Sequence, residues 1–352
     1  MGMSGGVDSS VAAALLVAQG YEVVGVYIEA YNEPGCRTDQ DKKDALKVAL
    51  QLGISFQVLD LRTEYKDKVI EYFYREYELG RTPNPDIVCN REIKFGIFLD
   101  WAVANGFDKV ATGHYARIAN GLLQRARDIA KDQSYFLWQV TPDKLEHVLF
   151  PLGEMLKSEV RTKAKELNLP TASKPDSMGI CFVGEVDVAQ LLRKKLGENP
   201  GEIVMQCQSD TVSHDVVVGE HKGLWFYTVG ERKGLTLDKK VLKKMGLHPE
   251  SMAPMYVVAK DASKNRLVVG PKEATMTSRV SVKWRFLTEK EGKLFVRIRN
   301  LGELYEVVKI EGEVVTTKDA MMGVAEGQSA VVYLRNGAEG DEVVVGGGEI
   351  FT

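Results

Sequence analysis

The residues best suited to chemistry stand at the start of the chain, in SGGVDSS over 4–10, and around two cysteines, Cys89 and Cys181. Gly5 and Gly6 free the backbone to turn and to present N–H groups. The apolar run that follows predicts a helix from Ser9 to Gln19. The positive end of such a helix favours anions. Ser4, Ser9 and Ser10 can donate to phosphate oxygens, and Asp8 can help hold Mg²⁺ or cap the helix. A Walker-type loop would end in Gly-Lys-Ser/Thr, its lysine reaching the outer phosphates. Here Val7, Asp8, Ser9 and Ser10 fill those places, so this is a phosphate loop of another kind.

Residues 81–96 read RTPNPDIVCNREIKFG. Pro83 and Pro85 stiffen the approach and exclude helix before them. A helix from about Asp86 places Cys89 in its first turn, where the helix dipole lowers a thiol pKa from about 8.5. Asp86 can cap that helix or take a proton from a reacting group. Arg91 and Lys94 add positive potential; a thiol on a buried helix face is the alternative. Cys181 lies in GICFVG, which by itself reads as a strand with an inert buried thiol. Cys36 and Cys207 read as bystanders. No CxxC pair and no histidine at zinc-ligand spacing occurs, so no metal site is expected.

These residues need a frame. YEVVGVYIEA and ISFQVLDL read as strands; DQDKKDALKVALQLG, YKDKVIEYFYREYELG and REIKFGIFLDWAVANG read as helices; FDKVATGHYARI is a strand leaving a loop. That alternation predicts a doubly wound parallel α/β sheet. No strand precedes the opening loop. Either one lies upstream of Met1 or the sheet lacks its central first strand, and the gap left by the second favours the first. From about Gly197 short alternating runs separated by turns predict small β-barrels. The expected division is an α/β domain over 1–195, a small mostly-β module over 196–272, and a β-barrel over 273–352.

The chain has 352 residues and a formal net charge of −3, so any polyanion must be met by local basic patches. Candidates are Arg125, Arg127 and Lys131; Arg193, Lys194 and Lys195; Arg232 and Lys233; and Lys239, Lys240, Lys243 and Lys244. No apolar run approaches the ~18 residues of a membrane span and no leader is evident, so a cytoplasmic location is expected.

GMSGGVDSS, GRTPNPDIVCN, IKFG, ATGHYAR, KDQSYFLW, GICFVGE, GLWFYTVGERKGL, EGQSAV and a late GGG occur in this order. Together they resemble the tRNA-specific 2-thiouridylases (MnmA-like) of the ATP pyrophosphatase superfamily, over essentially the whole chain. The resemblance implies adenylation of the C2 oxygen of a wobble uridine at the cost of ATP, with Mg²⁺. Sulfur then arrives from a cysteine persulfide, leaving AMP and pyrophosphate. It implies that Gly2, Met3, Ser4, Gly5, Gly6, Val7, Asp8 and Ser9 bind the phosphates, that Gly113 approaches the nucleotide, and that Ile28 replaces a methionine usual against the adenine. Asn84, Pro85 and Asp86 would hold the flipped uridine. Cys181 would carry the sulfur and Cys89 release it, forming a Cys89–Cys181 disulfide that is then reduced. His114, Lys131, Asp132, Gln133, Arg299, Asn300 and Gln328 match positions that contact tRNA, although the aromatic partner of Arg299 is lost. The implied partners are tRNAs for Lys, Glu and Gln, and a sulfur donor, either a cysteine desulfurase or a relay protein. Thiocytidine synthesis, with its paired CxxC motifs, lysidine synthesis and GMP synthesis leave NPDIVCN and GICFVG unexplained. So does a tRNA chaperone without catalysis.

Overall fold

The computed structural model describes residues 1–31, 38–176, 187–208, 213–248, 250–288, 291–335 and 342–351. Cys36 and Cys181 lie outside them. The first unit is a parallel sheet with helices on both faces. Strand β1 (Val24–Glu29) pairs in parallel with β2 (Ser55–Asp60), and β3 (Val110–Ala111) with β6 (Val148–Leu149). Between β1 and β3 lies the place where a gap was expected. Met1, Gly2 and Met3 fill it. Gly2 bridges Val26 in parallel, Met3 N donates to Val26 O at 2.8 Å, and Gly2 N donates to Ala111 O at 2.9 Å. These bonds join the two strand pairs into one sheet and deliver the chain onto the loop.

Alternation along β1 sorts the two cores. Tyr27 enters one with α1 (Val7–Ala18), α2 (Thr38–Leu52) and α5 (Lys157–Glu166); Val26 and Ile28 enter the other with α3 (residues 62–78) and α4 (residues 85–104). The alanine-rich face of α1 brings its backbone close to the sheet, with Ala12 and Ala13 wholly buried. After α6 (Val188–Leu196), strands β7 (Gly201–Gln208), β8 (Ser213–His221), β9 (Tyr256–Asp261) and β10 (Arg266–Gly270) form a sheet in the order β8-β7-β10-β9 around a small core, joined by α7 (Lys239–Lys244).

The third unit is a closed antiparallel barrel of β11 (Met276–Leu287), β14 (Val314–Met322), β13 (Tyr305–Glu311), β12 (Lys293–Arg297), β15 (Ser329–Arg335) and β16 (Glu342–Phe351), with β16 returning to β11. Strand β16 also pairs with a hairpin of the α/β unit, β4 (Ala116–Ala119) and β5 (Leu122–Arg125), through Val343 and Gln124. The late glycines have their reason here. A Cβ on Gly347 would stand 2.3 Å from the buried Trp138 ring, so only glycine lets that indole press on the barrel wall.

The same seam buries Asp132 completely. It was expected at a tRNA surface, but it accepts from Arg125 Nε at 3.1 Å, Arg297 at 2.8 Å, the amides of Ala126 and Ser134, and Ser134 Oγ. Arg125 reaches on to Glu342 at 2.7 Å, which also holds Arg335. Other charges expected in a tRNA footprint are likewise engaged. Arg127 pairs with Glu159, Lys131 with Asp176, Arg193 lies over Phe226, and Lys195 over Tyr74. Removing Asp132 leaves the buried Arg297 guanidinium without its carboxylate and Arg125 with Glu342 alone. Asp132→Ala is expected to lower the unfolding free energy by about 3–5 kcal/mol, read by urea denaturation, whereas Lys131→Ala, whose ion pair is half-exposed, changes it by less than about 1 kcal/mol.

Candidate functional site

The chain leaves the sheet at Met3 and turns through Ser4, Gly5 and Gly6 into α1. Gly5 takes φ +72°, and a Cβ there would lie 2.1 Å from Asp41 O, so the turn admits glycine alone. Ser9 Oγ accepts from Ser4 N at 3.2 Å and donates to Gly6 O at 3.1 Å, and Ser10 Oγ donates to Gly6 O at 2.8 Å. Gly6 holds the N-cap position of α1. Lacking a side chain, it leaves the first-turn amides without the acceptor that a serine or aspartate cap supplies, which is the form of a helix end built for an anion. Three of the expected phosphate ligands turn groups into the fold. Gly2 and Met3 spend their amides on the sheet, and the Met3 side chain is buried against Gly25. Val7 puts its side chain into the core.

The cation missing from the loop comes from elsewhere. Lys157, first residue of α5, sets its Nζ 2.7 and 2.8 Å from the two carboxylate oxygens of Asp8 and 3.0 Å from Asp176. Tyr115 donates its hydroxyl to Asp8 at 2.8 Å. Burial and the Asp8 charge push that phenol well above its usual range. Asp176 is partly buried, which alone would raise its carboxyl, but hydrogen bonds from Lys131, Lys157 and Arg161 hold it well below the ordinary carboxylate range. Lys174 closes the other side, donating to Gly5 O at 2.9 Å and pairing with Asp41 and Asp44. A lysine at the first position of a helix opposes the helix dipole. That misfit is the sequence signal that would have singled out Lys157.

Gly113 lies against the loop, where a Cβ would stand 2.8 Å from Ser9 N. The next residue, His114, is buried, not displayed. Thr112 Oγ1 lies 2.7 Å from its Nδ1 and Lys94 Nζ 3.3 Å from its Nε2. The Lys94 donor makes Nε2 the acceptor and places the ring proton on Nδ1. Burial, then the neighbouring Lys94, hold the imidazole well below its ordinary pKa and so neutral. His114 thus faces Lys94 of α4 inside the fold. Gln133, half-buried, pairs with the Tyr115 backbone through its side-chain oxygen and its own amide.

Helix α4 carries the other half. It begins at Pro85, one residue earlier than expected, and Asn84, not Asp86, caps it by accepting from Ile87 N at 3.3 Å. Asp86 is half-buried in the first turn. Cys89 falls at the fifth helical position, past the turn where the dipole acts, and is wholly buried beside Ile28, Val88 and Ile93. Ile28, expected against an adenine, thus shares one apolar cluster with the expected nucleophile. Residues 90–97 then widen into a π-helical stretch, a form common at functional sites. It carries Lys94, and its first residue, Asn90, is one that sequence reasoning passed over. Asn90 Nδ2 donates to Phe136 O at 3.0 Å while its buried Oδ1 has no partner among the described residues.

The structure therefore brings together the loop, Gly113, Lys157 and, through His114, Lys94 of α4. It keeps Arg299, Asn300 and Gln328 on the barrel. Arg299 donates to Gly323 O, the Asn300 Oδ1 is buried without a partner among the described residues, and Gln328 points to the backbone of the Pro83 segment.

Three family models match the chain: one described as a tRNA methyl transferase HUP domain over residues 1–185, one as a tRNA methyl transferase PRC-barrel domain over 189–271, and one as an aminomethyltransferase beta-barrel domain over 274–350. A protein of Akkermansia muciniphila named tRNA-specific 2-thiouridylase MnmA is 46% identical over 284 residues, covering 78% of this chain and 75% of that protein. Its namesake in Neisseria meningitidis serogroup C is 47% identical over 277 residues, covering 76% and 71%. Among solved structures, the U34-tRNA thiolase NcsA from Methanococcus maripaludis with its [4Fe-4S] cluster is 23% identical, covers 55% of this chain and 64% of that one, and has a TM-score of 0.35.

The loop geometry generates its own test. Gly113→Ala drives a methyl group into the backbone of Asp8 and Ser9. It is expected to weaken ATP binding at least about tenfold by calorimetry, with the thermal transition of the barrel unchanged.

Proposed function

We propose a course of reaction from one premise: this chain belongs to the tRNA-specific 2-thiouridylase family. It is a tRNA sulfurtransferase that uses ATP to place sulfur on a tRNA uridine. The family models carry methyl-transfer names, but a nucleotide loop beside a cysteine-bearing helix suits adenylation and sulfur transfer. The observation that carries this reading is the uncapped start of α1 with Lys157 held beside it.

The outer phosphates of ATP cap α1 through its first-turn amides and Ser4 and Ser9. Lys157 turns from Asp8 to the leaving pyrophosphate and so supplies the charge that the loop lacks. Among the described residues no group of three or more His, Cys, Asp or Glu is placed to hold a metal. Mg²⁺ would arrive as the counter-ion of ATP, with Asp8 the carboxylate nearest the phosphates.

The target uridine at the wobble position must leave its stack to reach Asp86. Its C2 oxygen attacks the α-phosphate, releasing pyrophosphate and making that oxygen part of a good leaving group. Asp86 takes the N3 proton as the C2 oxygen bonds to phosphorus. The outer sulfur of a Cys181 persulfide then attacks C2 and AMP departs. Cys89 thiolate attacks Cys181 Sγ, the S–S bond to the delivered sulfur breaks, and 2-thiouridine leaves. The Cys89–Cys181 disulfide that remains takes two electrons from an external thiol. Burial of Cys89 shields its thiol between turnovers. The persulfide is charged by a cysteine desulfurase or a relay protein, and the substrates are tRNAs for Lys, Glu and Gln. No helix among the described residues is long and apolar enough to cross a membrane.

Nucleoside mass spectrometry after incubation with unmodified tRNA, ATP, Mg²⁺, a reducing thiol, and cysteine with a cysteine desulfurase as persulfide donor tests the reading. ATP-dependent 2-thiouridine is expected from the native sequence and none from Cys181→Ala, which keeps its tRNA affinity. Full activity of Cys181→Ala sinks the persulfide assignment. Lys157→Met is expected to slow ATP–pyrophosphate exchange by about 100-fold, and exchange at the native rate removes Lys157 from the phosphate site.

A further inference from the structure

The segment that leads into α4 cannot hold itself in place. Pro83 and Pro85 have no N–H, so two of the four residues over 82–85 lack the backbone donors with which a loop secures its own shape. The barrel supplies them. Gln328 Nε2 donates to Thr82 O at 2.8 Å and to Pro83 O at 3.2 Å. An amide nitrogen has two hydrogens, and both are spent here, on backbone carbonyls. The Gln328 backbone is itself fixed to β16, where Ile350 N donates to its carbonyl at 2.8 Å and Gly327 N donates to Ile350 O at 3.0 Å. Thr82 N donates to Glu326 O at 2.9 Å, and the Glu326 carboxylate pairs with Arg81 at 3.0 Å.

The middle unit meets the same point. Thr82 Oγ1 lies 3.5 Å from Thr228 Oγ1, and Gly230 packs on Gly323 so closely that a Cβ would stand 2.8 Å from its Cα. Arg299 holds that turn from the barrel side through Gly323 O at 3.1 Å. All three units therefore converge on Thr82, two residues before the Asn84 cap and seven before Cys89.

We infer that Gln328 is a positioning residue: it sets the carbonyls of Thr82 and Pro83, and through them the start of α4 and the place of Asp86. This rests on the thiouridylase reading for its catalytic consequence. It departs from the direct tRNA contact that the sequence resemblance suggested. Arg299 acts in the same sense one layer further out, by bracing the turn against which the middle unit rests.

Gln328→Met keeps the length of the side chain and removes both donors. With the full-length protein, kcat for 2-thiouridine formation is expected to fall about 10- to 100-fold, while the KM for tRNA changes less than about twofold. Hydrogen exchange at residues 86–90 is expected to quicken, with ATP affinity unchanged. Gln328→Glu, which keeps the shape and loses the donors, is expected to quicken the same exchange, and it decides the matter if Gln328→Met does not fold. A tRNA KM raised about tenfold, with kcat and exchange at native values, overturns the inference and returns Gln328 to the nucleic-acid surface. Absence of 2-thiouridine from the native protein overturns the reading of the reaction, while the exchange comparison still decides the role of Gln328.

Discussion

A carboxylate with no exposure to water governs how the parts of this protein meet. Asp132 is wholly buried between Arg125 and Arg297, one from the α/β unit and one from the barrel. Buried charges are costly, and two like charges become tolerable only when an opposite charge lies between them and hydrogen bonds meet the remaining valences. Asp132 meets that condition with five donors, from Arg125, Arg297, the Ala126 and Ser134 amides and Ser134 Oγ. The angle between catalytic unit and barrel is thereby fixed by charge geometry as well as by apolar contact. Trp138 against Gly347 and the hairpin on β16 follow the same seam. The convergence on Thr82 requires it, because a barrel free to swing could not hold the carbonyls of a proline segment.

The phosphate loop follows a related economy. Its glycines make a turn that no other residue fits, and its uncapped helix end attracts anions. Its cation is borrowed from a helix that starts about 150 residues later. With Asp8 as the resting partner, Lys157 is held in place beside the loop. The histidine that follows Gly113 is held neutral against Lys94.

The α/β class, the barrel, the loop and the cysteine-bearing helix were legible because each is written in local signals: period, glycine, proline and composition. What could not be read is what depends on long-range pairing. Asp132, Gln133 and His114 were assigned to a nucleic-acid surface because they match positions that contact tRNA in the family. Asp132 and His114 are buried and Gln133 is half-buried, and each has partners that no spacing predicts. Met1 to Met3 are too few to show a strand pattern, yet both neighbouring strands pair with them. Lys157 was the nearest miss, since its clash with the dipole of its own helix is visible in the sequence alone.

The shared sheet between hairpin and barrel also bears on how the protein is made. Arg125 and Glu342 are 217 positions apart, and β16 both closes the barrel and receives β5. Contacts so distant along the chain form slowly and late. During synthesis the α/β unit can collapse around its own two cores, but the hairpin edge and the proline segment must wait for the final barrel strand to leave the ribosome. The nascent chain thus forms its sheet and opening loop first, and the proline segment before α4 gains its barrel partners last.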